Sequence, residues 1–222
     1  MQYYILLILS VVITLTAQIY VNSSYKKYKK VKLNSDLTGV EIAQKILSAN
    51  NLEDVYVTEV RGELTDHYDP KRKVIRLSSS IFHENTVAAA SVAAHEVGHA
   101  LQDKDNYIFI RIRGFLIPIV NFSSKLGYFA ILIGFLFGYL DFVWAGIILL
   151  AVILVFQLIT LPVEFDASRR AKEELKRLKL ISKEELDGSN KMLKSAAYTY
   201  VASLATTVLE ILRLFLMAKN SD

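Results

Sequence analysis

Two of the four histidines in this chain of 222 residues stand four apart, in the stretch "VAAHEVGHAL", residues 92–101. His95, Glu96 and His99 form the pattern H-E-x-x-H, for which the composition of the chain gives roughly 0.004 chance matches. On a helix, residues four apart share a face, so the two imidazoles converge on one cation while Glu96 sits about 100° round the axis. Zinc accepts such nitrogen donors, and in catalytic sites it keeps one position for a water whose pKa falls toward neutrality. Glu96 is then placed to take a proton from that water and return it to a leaving amine. Gly98, inside the motif, leaves room for a neighbouring backbone to approach. The chain has no cysteine, so a metal here must be held by His, Glu or Asp.

A third ligand is required, and the residues offer two. Asp105 lies six positions after His99, but the position where a turning glycine would be needed is Gln102. Glu164 lies in "LPVEFDASRRA", where Pro162 restarts or kinks a helix. The choice between them depends on how the chain is threaded.

The elements that must position these residues are largely membrane segments. Hydrophobic residues make up 53% of the chain, and they cluster. Tyr3 to Val21 contains no charge and is long enough for a bilayer core of about 30 Å. No basic residue precedes that run and no small-residue cleavage site closes it, so it reads as a retained span and not a signal peptide. Gly114–Leu140 and Phe142–Leu161 read as a helical hairpin turning at Asp141. Ala196–Met217 is a fourth candidate span, with Glu210 and Arg213 spaced to form an ion pair; its alternative is an amphipathic helix at the membrane edge. The expected organisation is a transmembrane helix over 1–22, a cytoplasmic catalytic domain over 23–113 and a transmembrane hairpin over 114–162. A cytoplasmic helix with the third ligand follows over 163–195, then a transmembrane or membrane-edge helix over 196–218.

Of the 26 Lys and Arg, fourteen fall between the first and second spans and nine between the third and fourth. This bias puts both polar segments in the cytoplasm, with the active site facing it. "SYKKYKK" after the first span is a topology signal and a candidate contact for anionic lipid. A net charge of +4 gives no case for nucleic-acid binding. Thr38 and Glu41 have the form of a capping box opening a short helix. "VYVTEV" and "KVIRLS" read as two antiparallel strands with a turn at Asp69-Pro70 between them. The motif helix is expected to begin near Asn85, with Val87–Ala94 as a narrow, alanine-rich approach surface.

"LTDHYDPKRKVIRLS", "AAHEVGHALQD" and "TLPVEFDASRRA", in this order among these spans, resemble the YugP-type family of membrane neutral zinc metallopeptidases over nearly the whole chain. More distantly the layout is similar to the HtpX-type peptidases of the gluzincin class. The resemblance implies a mainly α, multi-pass membrane protein with about four transmembrane helices and a small α+β zincin-type catalytic domain. It also implies Zn2+ held by His95, His99 and Glu164, with Glu96 as the catalytic base. One departure is visible: the gluzincin aspartate four residues beyond the ligand glutamate is Ser168, a weaker partner for a ligand imidazole, while Asp166 points elsewhere on its helix. The resemblance further implies that the strand at residues 73–78 is the edge that pairs with extended substrate. His67 stands either above the metal or as the anchor of a turn, and Tyr68 is equally open; His83 reads as a surface or capping residue. Arg169 and Arg170 read as a basic membrane boundary. The expected activity is zinc-dependent endoproteolysis of peptides and of unfolded or membrane proteins at the cell membrane. The alternative is an inactive scaffold that zinc stabilises, with partners bound at the same face.

Overall fold

The computed structural model describes residues 1–220. Among these described residues four helices are long and apolar enough to cross a membrane: α1 (Gln2–Tyr28), α5 (Ile108–Phe137), α6 (Leu140–Arg177) and α7 (Lys183–Lys219). Their large apolar side chains are exposed at Ile8, Phe115, Leu132, Ile148 and Val208. Contiguous apolar surface of this kind is costly in water and suits a lipid environment. The chain is thus a mainly α, multi-pass membrane protein carrying a small α+β unit.

Two compact units divide the chain. The apolar unit comprises residues 1–19, 111–162 and those from Tyr198 onward. Within it Ile131, Val143, Ile147, Leu150 and Leu214 form a buried cluster, and Trp144 meets Phe215 edge-to-face at 5.4 Å. The hairpin turns at Gly138, whose φ of +74° is a left-handed conformation that glycine adopts without a Cβ penalty. Asp141, expected at the turn, instead lies in the first turn of α6, where a carboxylate opposes the positive helix end. Glu210 and Arg213 pair at 2.6 Å, as their spacing predicts.

The second unit comprises Tyr20–Ile110 and Val163–Ala197. Its centre is α4 (Val87–Lys104), buried on nearly every side because its first turns are alanine, valine and serine. Small side chains let α2 (Gly39–Ser48) and the strands come close, with Ile42, Ile46, Ile75, Leu77 and Ile81 all fully buried around it. Thr38 and Glu41 form the anticipated capping box on α2. Thr86 caps α4 by accepting from the Ala89 amide at 3.2 Å.

The sheet differs from the sequence expectation. β1 (Tyr56–Val60) pairs in parallel with β3 (Val74–Ser78), and β2 (His67–Asp69) pairs antiparallel to β3, in the order β1-β3-β2. The segment between β1 and β3 contains its own strand. It returns through the Asp69-Pro70 turn, where the Asp69 carboxylate accepts from the Lys71 and Arg72 amides, so the chain re-enters parallel to β1. β3 is therefore central and not a substrate-pairing edge, which agrees with the complete burial of Ile75 and Leu77. α3 (Ser79–His83) then leads into α4.

Candidate metal centre

The four-residue spacing on α4 places the His95 and His99 rings 4.8 Å apart, nearly perpendicular at 82°. Glu164, the second residue of this unit's part of α6, is 2% exposed. Its Oε2 lies 3.3 Å from His95 Nε2 and 3.8 Å from His99 Nε2. Ligand atoms from the three residues all lie within 4.8 Å of one another. Tetrahedral zinc with bonds near 2.0–2.1 Å separates its ligand atoms by about 3.3 Å, so this donor set fits zinc after small side-chain adjustments. Two imidazole nitrogens and one carboxylate are also donors that zinc accepts.

Close approach of α6 to α4 makes the convergence possible. A Cβ on Gly98 would stand 2.5 Å from the Ala167 carbonyl oxygen, so the glycine of the motif is where the two backbones cross. Pro162 lies inside α6, which continues through it. Asp105 takes no part: α4 runs on through Gln102 to Lys104, and Asp105 follows as an exposed C-cap bonded to Arg170.

The residues behind the ligands are partly those expected. Ser168 Oγ is 3.2 Å from His95 Nδ1, so the hydroxyl at the position where the resemblance would lead one to expect aspartate does reach the His95 ring. Gln102, which sequence reading weighed only as a failed turn, is fully buried, with Oε1 3.0 Å from His99 Nδ1. Its Nε2 donates to the Val163 carbonyl at 2.7 Å and to Asp166 Oδ2 at 3.1 Å. The one signal for it in the sequence is its position three residues beyond His99, on the same helix face. Asp166 is held by Arg170 Nε at 2.6 Å and by Arg169.

Glu96 is buried beside this group, and burial pushes its carboxyl up to about 7. The neighbouring carboxylates of Glu164 and Asp66 push the same way, while His95 and a hydrogen bond with the Tyr68 backbone oppose. The remaining candidates sit in structural roles. His67 is exposed, with Nδ1 2.8 Å from the Thr65 carbonyl, and so anchors the turn before β2. The Tyr68 hydroxyl donates to Asp103 at 2.9 Å, and burial together with that carboxylate raises its pKa. His83 pairs with Glu59 at 3.1 Å on the surface. Arg169 bonds to Glu173 as well as Asp166.

Comparison with known proteins points to a zinc-dependent family. The family described as "Putative neutral zinc metallopeptidase" matches residues 3–219. The chain is 46% identical over 204 residues to the "Putative membrane protease YugP" of Bacillus subtilis (strain 168), covering 92% of this chain and 91% of that protein. No solved structure matches. A family match over nearly the whole length, on a chain whose H-E-x-x-H helix faces a buried glutamate, places this protein in the neutral zinc metallopeptidase family.

Proposed function

We propose that this protein is a membrane-anchored endopeptidase whose active site faces the cytoplasm, with His95, His99 and Glu164 as zinc ligands and Glu96 as general base. The observation that carries the reading is the meeting of three donor groups from two helices beside a fourth, buried carboxylate. Zinc, when bound, supplies a Lewis acid that polarises the scissile carbonyl and acidifies water. Glu96 accepts a proton from the attacking water as the new C–O bond forms, and delivers it to the amide nitrogen as the C–N bond breaks. Ser168 and Gln102 orient the ligand rings. An extended peptide pairs with β2, the edge strand that lies on the Glu96 side of the sheet. Peptides and unfolded segments of membrane proteins are the substrates this geometry suits, and the excess of Lys and Arg around the polar segments supports the cytoplasmic orientation.

The scaffold alternative is disfavoured by the donor count. Structural zinc sites use four protein ligands, whereas the group here has three, which leaves a position for water. A scaffold would also gain nothing from burying Glu96. The test is Glu96→Gln in purified full-length protein: it should retain about one equivalent of zinc and lose hydrolysis of an unfolded protein. Hydrolysis near the wild-type rate in that variant would refute the mechanism. A zinc-loaded wild type that cleaves nothing would favour the scaffold.

A further inference from the structure

We propose that Gln102 is a positioning residue: its amide sets the His99 ring in the tautomer with the proton on Nδ1, and fastens the histidine helix to the helix that carries Glu164. The proposal rests on reading His95, His99 and Glu164 as ligands.

The argument follows from what each partner can do. A carbonyl oxygen only accepts, and so does an ionised carboxylate; Val163 O and Asp166 Oδ2 are both within bonding distance of one end of the Gln102 amide. That end must therefore be the NH2 group. A flipped amide would set its oxygen against two acceptors in a fully buried position, at the cost of two hydrogen bonds. The other end is then an oxygen, which only accepts, and it faces His99 Nδ1 at 3.0 Å. Nδ1 must carry the proton, and in the neutral ring the lone pair then stays on Nε2, the nitrogen 3.8 Å from Glu164 Oε2. This is the opposite of the tautomer a free histidine side chain prefers in water, so the protein has to impose it.

The same amide acts on the third ligand. Val163 immediately precedes Glu164, so the bond from Nε2 to its carbonyl holds α6 at one height along α4. Asp166 passes the restraint on to Arg170, whose guanidinium also reaches Asp105 at the end of α4. The two helices are thus joined by a polar chain that runs from a ligand ring to the surface. The Nδ1 of His95 instead faces the Ser168 hydroxyl, which donates or accepts equally well.

Full-length protein in detergent micelles, with 15N-labelled histidine rings and stripped of metal, tests the proposal; the chain has only four histidines to resolve. Ring nitrogen shifts recorded at about pH 8.5 report which nitrogen of each ring carries the proton. Wild-type His99 should show a protonated Nδ1. Gln102→Leu should lose that tautomer and weaken zinc binding about 10- to 100-fold. Gln102→Glu, whose carboxyl when protonated keeps one oxygen as acceptor for Nδ1 and one O–H as donor to the Val163 carbonyl, should retain the tautomer, and it carries the test if the leucine variant fails to fold. Wild-type His99 protonated on Nε2, loss of the tautomer in Gln102→Glu, or a folded Gln102→Leu with unchanged zinc affinity would each overturn the proposal. A wild type that binds no zinc would refute the ligand assignment instead, and the tautomer of the metal-free protein would still decide the role of Gln102.

Discussion

Gly98→Ala puts the helix crossing under direct strain. The added methyl would lie 2.5 Å from the Ala167 carbonyl oxygen and 3.1 Å from its carbonyl carbon and Cα. Ordinary contact begins near 3.4 Å, so α4 and α6 must part by about 0.9 Å at this point, and no side-chain rotation relieves a clash with backbone. Glu164 and Ser168 sit on the displaced segment. Moving it by that amount carries Glu164 Oε2 from 3.3 and 3.8 Å to roughly 4.2 and 4.7 Å from the two Nε2 atoms, a gap that must close again before zinc, which holds its ligands about 3.3 Å apart, can bind. Overpacking of this kind costs about 1–3 kcal/mol, whereas replacing a helical glycine by alanine returns at most about 1 kcal/mol of helix propensity. If that strain falls on the metal-bound state, zinc affinity drops by about 5- to 150-fold. Competition with a chromophoric chelator measures it, and Gly114→Ala, where a methyl meets nothing within 4 Å, is the matched control. Gly98→Ala with wild-type zinc affinity and hydrolysis would refute the claim that the crossing at Gly98 positions Glu164.

Other outcomes follow from the same geometry. Glu164→Ala should lose most of its zinc after dialysis while Asp105→Ala keeps metal and activity; elemental analysis showing the reverse would refute the ligand assignment. In metal-free protein the Glu96 carboxyl is raised from 4.5 to about 7, so the stability from its protonated form is fully present below about pH 4.5 and lost as pH rises through 7. Chelated wild type should therefore be less stable at about pH 8 than at about pH 5 by on the order of 3 kcal/mol from this group, a dependence that Glu96→Gln removes. Identical pH dependence of thermal unfolding in the two proteins would refute it. Since the chain lacks cysteine, Asp141→Cys should react with an impermeant maleimide from outside the cell and Lys71→Cys only after permeabilisation; labelling in the opposite sense would invert the topology.

What the sequence by itself determined is what depends on neighbours along the chain. The His95/Glu96/His99 arrangement follows from helical spacing, the Thr38–Glu41 capping box from adjacent residues, and the four apolar helices from composition over about twenty residues. Each is a local regularity, legible before any folding is known. The tertiary structure alone decided what depends on distant segments meeting. Asp105 and Glu164 were both chemically able donors, and what separates them is the crossing of α4 and α6 at Gly98 and Ala167, which brings Glu164 to His95 across 69 positions of chain. Gln102 carries no motif; its value comes from Val163 and Asp166, more than 60 residues away. The strand order was misread for the same reason: alternation in "KVIRLS" shows that a strand exists, but pairing on both of its edges is set by β1 and β2 arriving from elsewhere. Spacing along a helix is geometry the backbone imposes on every sequence, whereas the partner across a gap is selected by the packing of the whole unit.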